Sequence, residues 1–248
     1  MMVTTTALSR PRWNAERAFY GGMALAILAA VCLGFARSFF LRPWFPEVHV
    51  PPERYFLLHG TVFFAWFVLL VVQALLVSAR RVDLHRTLGV LGGVLAALMV
   101  VVGVTGAIIA ARRPGGFVDS PMPPLRFLAV PLFDMALFGT LVGFALAWRR
   151  DRQAHKRLML VGSIALLVAA IARWPFAVIE AGGPPVVMGL NDLYLVPLVI
   201  WDLATCRRVH PATLWGGLAL VASQPLRFML SGTEAWLVFA RWLTGLPG

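Results

Sequence analysis

Seven apolar runs, separated by short polar or Pro- and Gly-rich connectors, dominate the pattern along the chain: Ala18–Phe40, Tyr55–Ser78, Thr87–Ala111, Leu125–Trp148, Leu158–Ile179, Leu190–Ala204 and Ala212–Leu230. A helix rising about 1.5 Å per residue needs roughly 20 apolar residues to cross a hydrocarbon core of about 30 Å. The pattern therefore predicts an all-α, polytopic transmembrane bundle of about seven helices, forming one domain over residues 1–248. The sixth run is short and carries Pro197, and the seventh carries Pro225 and Arg227. After Ser231 and Gly232 comes a last apolar piece, Ala235–Leu243, too short to span and expected to lie at the interface or to complete a broken helix. The first run is longer than the apolar core of a signal peptide, about 7–15 residues, so a retained anchor helix is expected there.

The basic residues between the runs alternate in number. Thirteen Lys and Arg fall in the N-terminal tail and in the connectors after the second, fourth and sixth runs; the other connectors hold five. Cytoplasmic connectors are the ones enriched in Lys and Arg. This places the N-terminus inside and predicts a bacterial inner (plasma) membrane location. Trp44, Trp174 and Tyr194 fall near the expected membrane surfaces, where amphipathic rings settle.

Composition agrees. The 248 residues are 60% hydrophobic and 13% charged, with mean hydropathy +0.80, whereas soluble domains are about 45–50% apolar and about 25% charged. Lipid must cover that surplus, so the bilayer is the first partner. The net charge of +11 does not indicate nucleic acid, because the basic residues sit in short clusters between apolar runs rather than on one face interleaved with aromatics. Cys32 and Cys206 show no CxxC spacing, so neither a disulfide framework nor a zinc site is indicated, and buried inert thiols are expected.

Ionisable side chains inside a membrane are costly and mark candidate sites. Threaded through the topology, they sort into two layers. The inner layer holds Gln73, Asp83, His85, His155 and Asp202, with His85 and His155 each opening a helix at similar depth. Gly89 and Gly93 give the backbone of the third helix room for close approach, and His155, Met159 and Ser163 form one stripe at four-residue steps. Two neutral imidazoles on facing helices suit axial ligation of a b-type haem, and Arg86, Lys156 and Arg157 are placed to pair with its propionates. Equally, both could be interfacial histidines in basic connectors, or serve another metal or a proton relay. The outer layer holds His59, Asp134, Arg173 and Arg227, a candidate substrate or proton site, or a buried network that locks helix packing. Arg173 follows His155 by five helical turns, so one face of the fifth helix is expected to touch both layers. His49 and His210 lie in connectors beside prolines and carry no assigned role.

The stretches His59–Gly60–Thr61 to Gln73, Asp83–Leu84–His85–Arg86–Thr87–Leu88–Gly89 and His155–Lys156–Arg157–Leu158–Met159 resemble a family of uncharacterised bacterial multi-spanning membrane proteins. That family has LHRxLG and HxRxM-like helix entries, and the resemblance covers Tyr55–Arg173. The arrangement is also distantly similar to transmembrane dihaem cytochromes b, in which four successive helices each give one His to an inner and an outer haem. This resemblance implies His85 and His155 as haem ligands; the fourth helix offers only Asp134, so it does not extend to an outer pair.

The sequence thus leads to a b-type haem protein that exchanges electrons with a membrane partner. Its rivals are a transporter or sensor holding a small polar solute or proton at His59, Asp134, Arg173 and Arg227, and a scaffold or assembly factor. GxSxG, P-loop and HExxH motifs are absent.

Overall fold

The computed structural model describes residues 10–48, 54–118, 120 and 122–246. His49 and the first nine residues lie outside the described residues. The described residues form helices and connectors only: α1 (Arg10–Phe35), extended by a π-helical turn (Ala36–Phe40) and a 3-10 turn (Arg42–Trp44); α2 (Arg54–Ser78); α3 (Val82–Arg112); α4 (Pro124–Phe127) and α5 (Ala129–Ala147); α6 (Arg152–Ala165) and α7 (Leu167–Ile171); α8 (Ala177–Asp192), a 3-10 turn (Leu193–Leu195) and α9 (Val196–Cys206); α10 (Pro211–Ser231); and α11 (Glu234–Thr244).

Six helical segments are long and apolar enough to cross a membrane, namely 15–40, 54–78, 82–112, 124–147, 152–171 and 177–206, and the chain is a multi-pass membrane protein. α10, 21 residues long, packs along α5 and α6. Helices α1, α2, α3, α5 and α6 pack in sequence around a closed ring, α6 returning to α1, while α10 sits outside on α5 and α6. The starts of α1, α3, α6 and α10 and the ends of α2, α5 and α9 gather at one end, joined there by Arg17–Ser78, His85–His155, Arg157–Asp202 and His210–Asp202 contacts. This end carries the thirteen-residue basic set and is called the basic end below.

The stretch 152–171 is the most enclosed, 72% buried against 22% to 44% for the other five. Its small residues allow this. A Cβ on Gly162 would stand 3.0 Å from Val142 Cγ2, so α6 lies close against α5. Where α1 crosses α7 the backbones nearly touch, and a Cβ on Gly34 would stand 2.2 Å from the Ala170 carbonyl oxygen. Gly34→Ala must push the helices apart, at a cost of about 1–3 kcal/mol. Gly22→Ala, with no atom within 4 Å of the new Cβ, should melt like wild type in the same detergent; equal melting of both variants would show that the crossing is not tight.

Two expected boundaries are corrected. The run Leu158–Ile179 is not one helix: α7 ends at Ile171, and residues 172–176 form a turn. Pro175 disfavours helix in the residue before it, which accounts for the break. Residues 180–189, left as a connector between the fifth and sixth runs, are not a loop but helix, kinked at Gly183. Gly183 takes φ 57°, which favours glycine, and Pro184 and Pro185 then fit the first turn of the resumed helix. The sixth traverse is therefore Ala177–Cys206, broken at Gly183 and at the 3-10 turn, rather than the short Leu190–Ala204.

Side chains cap the helices at the basic end. Asp151 accepts from the N–H groups of Gln153 and Ala154 at α6, and these bonds hold its carboxyl below the usual range. His210 Nδ1 accepts from Ala212 N–H at 3.1 Å to open α10. Burial, and then the Arg157 charge, push the His210 pKa down. A base with a lowered folded pKa stabilises the fold above its ordinary pKa, and that stability is lost as pH falls through the folded value. Acidification below about pH 6.5 should therefore cost α10 its cap, worth at most ~1 kcal/mol at this half-exposed site. His210→Asn, which caps without titrating, should flatten that part of the melting-versus-pH curve; an unchanged slope would remove His210 as the cause.

Candidate functional site

His85 lies in the first turn of α3 and His155 in the first turn of α6. The basic end brings them together, with ring centroids 6.5 Å apart and planes at 86°. Two imidazoles bound axially to one metal at about 2.0 Å per nitrogen would have centres roughly 6.4 Å apart. The observed centroid separation is close to that value.

Each ring is held at Nδ1. His155 Nδ1 lies 2.7 Å from the Ala145 carbonyl, one of the last carbonyls of α5, which have no helical partner of their own. Only a donor can satisfy that oxygen, so His155 carries its proton on Nδ1 and leaves Nε2 as the lone-pair nitrogen. His85 Nδ1 faces the Gln73 amide. With Gln73 Nε2 turned toward it, that nitrogen donates to His85 Nδ1 (2.6 Å) and to the His85 carbonyl (3.2 Å), while Oε1 accepts from Gly89 N–H (3.0 Å). Turned the other way, Oε1 would accept from His85 Nδ1–H but would also face the His85 carbonyl, with the amide nitrogen against the Gly89 N–H. The Gln73 amide thus sets the His85 tautomer.

The surroundings are packed. Cβ atoms on Gly92 and Gly93 would stand 3.2 Å from Leu69 Cδ2 and 3.5 Å from Leu146 Cδ1, so the glycines' space is shared with two flexible side chains. Of the three cations expected at propionates, two are otherwise engaged. Lys156 is paired with Glu16 and lies 4.6 Å over the Tyr20 ring. Arg157 is 1% exposed and pairs with the fully buried Asp202. Arg86 alone of the three is exposed and free of ion pairs among the described residues. Beneath the pair the expected stripe is present: Ser163 Oγ donates to the Met159 carbonyl (2.9 Å) and accepts from Trp66 Nε1 (3.1 Å).

Arg157 and Asp202 form a network that sequence reasoning did not assemble. Arg157 Nε and Nη2 both donate to Asp202 Oδ1, at 2.9 and 2.5 Å, and Nη1 donates to the Gln153 carbonyl and Oε1. Asp202 Oδ2 accepts from His210 N–H (3.0 Å) and Thr213 Oγ1 (2.6 Å). It ties α6, α9 and α10 together, and every lone pair is used, so it serves packing. Asp83, counted in the same layer by sequence, instead faces out and pairs with Arg81.

The outer residues divide. Asp134 on α5 and Arg227 on α10 pair at 2.6 Å, and Arg227 also donates to the Ser223 carbonyl and hydroxyl. Gln224 donates to Asp192 at 2.7 Å. His59 stacks on Phe63 at 4.1 Å, its Nδ1 buried without a hydrogen-bond partner beside Gly106. Arg173 lies in the exposed turn after α7, donates to the Ala169 carbonyl and covers the Phe35 ring. The pairing already satisfies the Arg227 charge, which the sequence placed with His59, Asp134 and Arg173 in a candidate substrate or proton site.

Among the described residues no group of three or more His, Cys, Asp or Glu is arranged to hold a metal; His85 and His155 stand together as a pair. Cys32 is half-buried, but Cys206 is exposed rather than buried, so the expectation of two buried thiols is corrected. No family model, curated protein or solved structure matches this chain. The functional argument therefore rests on the histidine pair and its neighbours.

Proposed function

We propose that the protein is a seven-helix integral protein of the bacterial inner membrane, N-terminus inside, which binds one b-type haem between His85 and His155 and passes electrons to or from a membrane partner. The 6.5 Å separation of the two rings carries this reading. A further feature supports it. Metal-bound histidines commonly donate their second ring N–H to a carbonyl or amide oxygen, which fixes the tautomer, and the Ala145 carbonyl is placed to accept it from His155. Leu69 and Leu146, which fill the space beside the α3 glycines, are flexible apolar side chains that a macrocycle would enter by displacing. With α10 counted as the seventh crossing, the thirteen-to-five distribution of basic residues supports the orientation.

When bound, a haem would supply one-electron redox chemistry at this end of the bundle. The chain's own part is to orient two imidazoles at fixed spacing and, through the Ala145 carbonyl, to leave His155 Nε2 as its lone-pair nitrogen. Arg86 is the residue placed to meet a propionate. The test is an absorption spectrum of the detergent-purified protein, made in a host supplied with haem precursor, before and after dithionite. A Soret band with sharp α and β bands on reduction is expected. A colourless, monodisperse, helical preparation that also fails to take up added hemin would overturn the reading.

A further inference from the structure

A groove of about 470 Å³ opens on the bundle surface between α1 and α2 at the basic end. Arg17 and Ser78 form its polar mouth, Gly21 and Gly22 its floor, and Leu25 and Leu75 its apolar walls. A Cβ on either glycine would meet nothing within 4 Å, and the two leucines are half exposed. The groove thus has a cationic head at the membrane surface and an apolar trough running into the bilayer. It lies away from the histidines: Gln73, which meets His85, is on the opposite face of α2 from Leu75, about 200° around the helix.

We infer that this groove binds one anionic phospholipid, its phosphate at Arg17 and an acyl chain along Gly21, Gly22, Leu25 and Leu75. Charge complementarity selects the occupant. Arg17 Nη1 donates to the Ser78 carbonyl at 3.1 Å, which holds the guanidinium charge at the mouth. The nearby carboxylate of Glu16 is already neutralised by Lys156. Basic pockets between transmembrane helices bind anionic lipid headgroups in this manner, and each surface Arg adds about 1 kcal/mol of attraction.

The full-length protein is reconstituted in vesicles of equal phosphatidylglycerol and phosphatidylcholine, extracted mildly, and its retained lipid counted by native mass spectrometry. Wild type should retain one phosphatidylglycerol in preference to phosphatidylcholine by about fivefold or more. Arg17→Gln keeps a donor for the Ser78 carbonyl but not the charge, and should erase the preference. Gly22→Leu fills the trough, which has the space for it, and should remove retained lipid of both kinds. Arg80→Gln, outside the groove, should leave the preference in place. Equal retention of the two lipids by wild type would overturn the site, as would an unchanged preference in Arg17→Gln, unchanged retention in Gly22→Leu, or an equal loss in Arg80→Gln, which would mark diffuse surface attraction. The site stands or falls independently of the haem.

Discussion

Arg157→Met should lower the melting temperature of the detergent-solubilised protein by about 10 °C, corresponding to a loss of about 3–5 kcal/mol. The variant keeps the side-chain volume but leaves the Asp202 carboxylate, fully buried, with only the neutral donors His210 N–H and Thr213 Oγ1. Neutral interhelical hydrogen bonds in membranes average only about 0.6 kcal/mol, because a helix separated within the lipid finds other partners. An unpaired charge has no such recourse, so the larger figure governs here. Asp202→Leu should be comparably harmful, since it strands the guanidinium against Gln153 alone. The double variant, Arg157→Met with Asp202→Leu, should be more stable than either single one, because no charge is left buried. A double-mutant cycle on melting or denaturant midpoints reads this directly. Additive losses in the double variant would show that the two side chains are not energetically coupled, whatever their distance.

Much of the fold was legible because hydropathy depends on residue type alone. The runs beginning near Tyr55 and Thr87 and ending near Ser78 and Ala111 coincide closely with α2 and α3. The breaks were less legible. Pro175 stands inside the apolar run Leu158–Ile179, and its effect on the preceding residues outweighs their hydropathy. Gly182, Gly183, Pro184 and Pro185 read as a loop, yet one left-handed glycine and two prolines in a first turn suffice to kink a helix.

Depth in the membrane was readable from position along each run, which is why His85 and His155 were placed at one level and do meet. Azimuth was not, since it depends on which helices pack together. Asp134 and Arg227 are 93 residues apart and Arg157 and Asp202 are 45 apart, and nothing in their spacing pairs them. One consequence was nevertheless available. Arg157 follows His155 by two residues, about 200° around α6, so it faces away from the imidazole and toward α9, where Asp202 waits. Lys156, about 100° from His155, turns toward α1 and Glu16.

Graded loss of pigment should distinguish a ligand from the residue that orients it. His85→Ala and His155→Ala each remove an axial nitrogen, so the sharp reduced α and β bands should vanish while far-ultraviolet circular dichroism stays unchanged. Gln73→Leu is the more discriminating variant. It preserves both ligands but removes the amide that faces His85 Nδ1 and leaves the Gly89 N–H without Oε1. Loss of such an orienting partner typically weakens a metal site by about 10–100-fold. Titration of apo-protein with hemin should therefore show the same spectrum at saturation, reached at correspondingly higher hemin concentration. Gln73→Glu, which can only accept at Oε1 when ionised, holds the proton on Nδ1 and should restore or tighten binding. If Gln73→Leu bound hemin as wild type does, Gln73 would have no part in fixing the tautomer. If His85→Ala kept the low-spin spectrum, the pair itself would not be the axial set, and the 6.5 Å spacing would be only the edge-on packing of two interfacial rings.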